Sequence, residues 1–203
     1  RELAKAGANV VLNSFTDSEE DHALATEIAD ATGVEARYIS ADMSDGDACR
    51  RLIVDAGGCD ILVNNAGIQH VAPVQDFPAA KWDAIIAINL SSAFHTTAAA
   101  VTGMRERGYG RIINIASAHG LTASPYKSAY VAAKHGIVGL TKTIGPETAR
   151  EPITCNAICP GYVLTPLAEA PSPDTMPADN LARGEGIETG LAQSTTAKEV
   201  APA

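Results

Sequence analysis

Short apolar runs of β character alternate with helical stretches along most of this chain, and that alternation constrains the fold more than any other feature. "ANVVLNS" (8–14), "EARYISAD" (35–42), "DILVNNAG" (60–67), "GRIINIASAHG" (110–120) and "ITCNAICPG" (153–161) read as strands. Between them "SEEDHALATEIADATG" (18–33), "DGDACRRLIVDAGG" (45–58), "PAAKWDAIIAINLSSAFHTTAAAVTGMRERG" (78–108) and "SPYKSAYVAAKHGIVGLTKTIGPETAR" (124–150) read as helices. Thr16 or Asp17 stands near the cap of the first of these, and Gly33 lies just past its end. Near-continuous apolar strands joined by helices predict a parallel sheet covered on both faces, and right-handed crossovers make it doubly wound. Ligands of such sheets bind beyond the carboxyl ends of the strands. "NNAG", "IASAHG" and "CPGYVLT" all fall there and should converge on one crevice. Residues 165–203 are rich in Pro, Ala and Gly with little periodicity. They read as a flexible lid or loop region of the same single domain, 1–203.

Charge and cysteine usage narrow the function. The 203 residues carry a formal net charge of −9, which excludes the basic surface a nucleic-acid partner requires. No apolar run approaches the roughly 20 residues that span a bilayer, and "RELAKAGANVV" lacks the apolar core of a signal peptide. No membrane partner is expected. Cys49, Cys59, Cys155 and Cys159 form no C-x-x-C pair, and Cys155 and Cys159 share one predicted strand. They read as four reduced thiols in a cytoplasmic protein. The five histidines show no metal-ligand spacing, so no metal is expected.

The chemistry concentrates in "KSAYVAAKHG" (127–136). Spacings of three and four bring Lys127, Tyr130 and Lys134 to one face of a helix. A surface helix reaches this pattern by accident. A catalytic helix uses it to hold a tyrosine hydroxyl between positive charges, which eases its deprotonation. Ser117 ends a strand thirteen residues before Tyr130.

At this point the chain resembles the short-chain dehydrogenases/reductases. "NNAG" (64–67), Asn89 closing "IIAIN", Ser117, "YVAAK" (130–134) and "PG" (160–161) follow in the family's order and spacing. The resemblance extends to about residue 167. It implies a Rossmann-like fold and four catalytic residues. Tyr130 is the acid/base, Lys134 lowers its pKa and holds the nicotinamide ribose, Ser117 positions the substrate oxygen, and Asn89 orders a proton-relay water. Residue chemistry agrees: hydride transfer at a carbinol carbon needs a base, and a tyrosine with an ordinary pKa near 10 is too weak until an ammonium stands beside it. A serine hydroxyl steadies an oxygen whose charge changes.

The resemblance also places Asp42 on the adenine, the backbone of Asn64 through Ala66 to Gly67 along the cofactor, and Pro160 and Gly161 at the start of a loop near the nicotinamide. Asn13, Ser14 and Phe15 stand where NAD-using relatives often carry an acidic residue, and no arginine is there to favour a 2′-phosphate. NAD is the expected cofactor. Gln69, His70, His119 and Lys127 form a donor-rich set suited to a small carboxylate. "NNAGIQHVAPVQDFP", "WDAIIAINLSSAFHTT", "GRIINIASAHGL" and "KSAYVAAKHGIVGLTKT" resemble the bacterial D-3-hydroxybutyrate dehydrogenase branch. That branch implies carboxylate binding at Gln69, His119 and Lys127. Tyr162 replaces the branch's tryptophan after "PG" and is counted with the substrate residues. Pro171 replaces a lid glutamine.

The expected activity is therefore NAD-dependent interconversion of 3-hydroxybutyrate and acetoacetate. The alternatives are a short-chain reductase of another substrate, such as a 3-oxoacyl thioester or a sugar, and a catalytically incompetent fragment. The family's T-G-x-x-x-G-x-G turn is not in this sequence. "RELAKAGANVV" matches the end of the family's first helix and its second strand, and "STTAKEVAPA" looks like the start of its last helix. The sheet is thus expected to be incomplete at both ends, with the strand at 8–14 and the strand at 60–67 lacking their shared neighbour. The family's usual tetramer pairs the helices that contain Asn89 and Tyr130. Small residues at Ala98 to Ala100, Ala132 and Gly139 suit such a homo-oligomer.

Overall fold

Parallel pairing is the rule among the residues that the computed structural model describes, 1–161. Tyr162 and the 165–203 region lie outside the described residues. Five strands run β1 Val10–Ser14, β2 Ala36–Ser40, β3 Ile61–Asn64, β4 Gly110–Ile115 and β5 Ile153–Ile158. The helices are α1 Glu2–Lys5, α2 Glu19–Thr32, α3 Gly46–Asp55, α4 Ala79–Ile86, α5 Ser92–Arg107 and α6 Ser128–Glu147. β1 pairs with β2, and β3 with β4 and β4 with β5, as two separate sheets. Among the described residues β1 and β3 are not bonded to one another, as the sequence reading expects.

Helices cover the three-stranded sheet because its side chains are apolar and close-packed. Ile53, Leu62, Ala100, Met104, Ile112, Ile144, Ile153 and Cys155 form one core cluster. Met104 and Ile112 are wholly buried, each contributing about 1.5–3 kcal/mol by transfer from water. Gly110 lets β4 approach α5, since a Cβ there would stand 2.6 Å from the Met104 sulfur.

Several local expectations change. Ser18, not Thr16 or Asp17, caps α2, through a capping box with Asp21. Asp17 instead meets His22 at 2.7 Å. Gly33 ends α2 in the left-handed region, at φ 73°, as expected. The long helix is continuous from Ala79 to Arg107 but contains a π segment, Ala87–Ser91. By length and composition alone this 29-residue helix passes for a membrane span, contrary to the sequence reading. It packs against α3, α6, β3 and β4. Ala100 faces the core, not outward, whereas Ala98, Ala132 and Gly139 are exposed. β5 ends at Ile158, so Cys159 lies past the strand that holds Cys155. All four cysteines are free.

Candidate active site

The carboxyl ends of β3 and β4 are joined by a polar pair inside an apolar sheet. Asn64 and Asn114 are register partners, and Asn64 Nδ2 donates to Asn114 Oδ1 at 2.8 Å. Thr96 of α5 donates to Asn64 Oδ1 at 2.7 Å. Asn114 Nδ2 donates to Thr141 Oγ1 of α6 at 2.9 Å, and that hydroxyl donates to Ile137 O at 2.8 Å. Asn114 is fully buried. A satisfied network of this kind fixes one arrangement of its elements, because any slip strands a buried polar group. Asn114, Thr96 and Thr141 were not singled out from sequence. The signal was an asparagine in the middle of the apolar run "RIINI".

Beyond Asn64 the residues Asn65, Ala66 and Gly67 are exposed. The next residue, Ile68, is clamped by Asn89. Ile68 N donates to Asn89 Oδ1, and Asn89 Nδ2 donates to Ile68 O, both at 2.9 Å. Asn89 sits in the π segment and is 1% exposed. The extra residue of a π turn shifts the helix face by about a quarter turn, and such insertions occur often at functional sites.

Ser117 follows β4 in extended conformation and caps a short 3₁₀ turn, Ala118–Gly120, its Oγ accepting from His119 N at 3.1 Å. Ala116 N donates to Ile158 O and Ala118 N to Pro160 O, both at 2.8 Å. These bonds hold Pro160, and Gly161 after it, beside Ser117. Gly120 presses on the backbone of α6: a Cβ there would come within 2.6 Å of Lys134 O. A glycine at this point is what brings Ser117 and the tyrosine helix into one site.

On α6, Lys134 is 4% exposed and donates to Ile115 O at 2.6 Å. Its Nζ lies 5.6 Å from the centroid of the Tyr130 ring. Burial lowers the Lys134 pKa to about 8, with the neighbouring Cys159 acting weakly the other way. The His119 ring meets Tyr130 edge-on, with centroids 6.1 Å apart. Ser117, Tyr130 and Lys134 are thus gathered around the end of β4.

Lys127 differs from expectation. It is the N-cap of α6, at φ −118° and ψ 38°, and not a residue on the helix face with Tyr130 and Lys134. Pro125 and Tyr126 form a turn before it, so helical spacing does not apply there. Lys127 still lies close to His119, whose pKa is lowered by burial and by the Lys127 charge, while burial lowers that of Lys127 itself. Gln69 follows the clamped Ile68 on the loop between β3 and α4. Asp42 is exposed past the end of β2, its Oδ1 accepting from Ser44 N at 2.8 Å. Phe15 projects past β1, 77% exposed. Tyr162 lies outside the described residues.

The family model for short chain dehydrogenases matches residues 1–175. The chain is 54% identical over 178 residues to D-beta-hydroxybutyrate dehydrogenase of Rhizobium meliloti (strain 1021), covering 86% of this chain and 69% of that protein. It is 58% identical over 172 residues to the protein of the same name from Cupriavidus necator, covering 82% and 66%. The chain thus spans about two thirds of the length of these relatives. Among solved structures, a gluconate 5-dehydrogenase from Burkholderia cenocepacia J2315 in complex with NADP and tartrate superposes with a TM-score of 0.77 at 36% identity, covering 85% of this chain and 69% of that one. With the parallel sheets and the gathered serine, tyrosine and lysine, these matches show that the chain belongs to the short-chain dehydrogenase family.

Proposed function

We propose that this protein is an NAD-dependent dehydrogenase of D-3-hydroxybutyrate, forming acetoacetate. One observation carries the reading: His119, whose ring meets Tyr130 edge-on and whose backbone N–H donates to Ser117 Oγ, is near enough to Lys127 to feel its charge, which makes an anion-binding corner beside an alcohol-oxidising centre. The identity of more than half to the two named hydroxybutyrate dehydrogenases supports the same substrate.

The residues present fit a dinucleotide. Asn65, Ala66 and Gly67 are exposed just past the end of β3, and Asp42 and Phe15 are exposed past the ends of β2 and β1. Asp42, Asn64, Ala66, Gly67, Tyr130, Lys134, Pro160 and Gly161 would hold it. Three residues near the end of β1, Asn13, Ser14 and Phe15, bring no cation for a 2′-phosphate, which favours NAD. When bound, the nicotinamide supplies the acceptor for the hydride that leaves C3.

The chain's own residues do the rest. Ser117 Oγ donates to the C3 oxygen. Tyr130 takes the hydroxyl proton as that oxygen becomes a carbonyl. The Lys134 ammonium, held by Ile115 O, stands where its charge stabilises the phenolate that accepts this proton. Asn89 fixes the Gln69 loop through Ile68 and orders a relay water for the proton. Lys127 holds the carboxylate by charge, and Gln69 and a neutral His119 add donors, with Tyr162 beside them. The exposed small residues Ala98, Ala132 and Gly139 suit close helix approach in a homo-oligomer, a tetramer by the family's habit. Four free cysteines accord with a cytoplasmic enzyme.

Steady-state assay of the full-length protein tests the reading. D-3-hydroxybutyrate with NAD should exceed a 3-oxoacyl thioester and a sugar substrate in kcat/KM. A clear preference for the thioester or the sugar overturns it.

A further inference from the structure

Tyr126 has a positive φ, 63°, and no other non-glycine among the described residues does. An L side chain in that left-handed region crowds its own backbone, and a bulky aromatic there is an outlier. Packing of the ring does not explain it, because Tyr126 is 47% exposed. The backbone does: Tyr126 O accepts a hydrogen bond from Ala72 N at 2.9 Å. Ala72 lies three residues past Gln69 on the loop between β3 and α4, whose near end Asn89 already clamps at Ile68. Lys127 follows Tyr126 directly as the N-cap of α6.

The Gln69 loop is thus held at two points. One is fastened to the π segment, the other to the turn that delivers Lys127. We infer that Tyr126 is a positioning residue, whose left-handed backbone ties the Gln69 loop to the Lys127 turn and so sets the spacing of the donors that grip an anionic substrate group. A φ in the ordinary negative range would swing the carbonyl off Ala72 and re-aim Lys127. Strain of this kind persists where the surroundings over-determine it, commonly beside ligands. The inference rests on the carboxylate reading of Lys127.

The test uses the full-length protein with Tyr126→Asn and Tyr126→Gly, which accept a positive φ, and Tyr126→Val and Tyr126→Ala, which resist it. Ala72 amide exchange is measured, together with steady-state kinetics on D-3-hydroxybutyrate and on its neutral methyl ester. Asn and Gly should keep Ala72 protection and the parental KM. Val should speed Ala72 exchange and raise KM for the acid by about tenfold, with kcat within about threefold and ester kinetics unchanged. Ala should show the same pattern more weakly, and it decides the matter if the Val variant does not fold. The inference is overturned if Val and Ala keep the parental values, if Ala72 exchange quickens with KM unmoved, or if Asn and Gly lose as much as Val. If the parent does not turn over the acid, the carboxylate reading has failed. The exchange series still decides, independently of turnover, whether the backbone at Tyr126 holds the two loops together.

Discussion

Replacing Lys134 by methionine should make the cofactor-free protein more stable at pH 7 while destroying its activity. Burial holds the ammonium at a pKa of about 8, against 10.5 for a free side chain. At 1.36 kcal/mol per unit, the charged form pays roughly 3 kcal/mol for being folded. Below pH 8 the lysine is protonated in both states and the whole penalty is present. Between pH 8 and 10.5 the unfolded chain binds a proton that the folded one has released, so stability rises with pH across that window. Methionine has a similar length and no charge, but it leaves Ile115 O without its donor, a loss of about 1–2 kcal/mol. The balance is a gain of about 1–2 kcal/mol for Lys134→Met at pH 7, shrinking as pH rises and reversing sign at about pH 9–10, so that the variant is the less stable of the two at pH 10.5. Urea unfolding of parent and variant at pH 7, 9 and 10.5 measures it. A variant less stable than the parent at pH 7, or a difference that does not move with pH, refutes the argument.

Three further outcomes are expected. Tyr130→Phe should abolish turnover while weakening NAD binding far less, as one of several cofactor contacts, measured by equilibrium titration; turnover within about tenfold of the parent would remove Tyr130 from the proton transfer. Lys127→Ala should lower kcat/KM for the acid by roughly ten- to a hundredfold, the worth of a charge-assisted contact, chiefly through KM, and leave a neutral ester unaffected. Equal losses on acid and ester would make Lys127 an electrostatic neighbour of Tyr130. Asn114→Leu keeps the volume but strands Asn64 and Thr141. It should reduce stability by about 2–4 kcal/mol in denaturant melts, and a loss under about 0.5 kcal/mol would show that the network contributes little.

The elements that periodicity controls were legible in the sequence. Strands and helices fall close to where apolar runs and helical spacing put them, because each must bury one side on a common core. What periodicity does not control was missed. Lys127 looks helical by its spacing to Tyr130 and Lys134, yet Pro125 and Tyr126 place a turn before it, and the helix begins at Ser128. The π segment has no signature in "AIIAINLSS", since apolar residues fill either helical register. Capping at Ser18 was read one or two residues early because Thr16, Asp17 and Ser18 are all good caps, and only the reciprocal bond with Asp21 decides between them.

Identity and placement are separate problems in this site. Ser117, Tyr130 and Lys134 announce themselves by residue type and spacing, because the chemistry demands a base, a cation and a hydroxyl. Among those three side chains only Lys134 helps to bring them together, through its bond to Ile115 O. The rest of their placement comes from residues without chemistry of their own. Gly120 lacks the atom that would hold Ser117 away from α6. Ala118 N fastens the Ser117 turn to Pro160. Asn114 ties β4 to both β3 and α6, so the strand that ends in Ser117 cannot slide against the helix that carries Tyr130 and Lys134. Each of these contacts involves a backbone atom or a fully buried amide, and neither tolerates small adjustments. Substitutions at Gly120 or Asn114 should therefore act on the rate through distance between intact catalytic groups, whereas substitutions at Tyr130 act through the loss of a group. Restoring the contact, not the chemistry, is what would rescue the first kind.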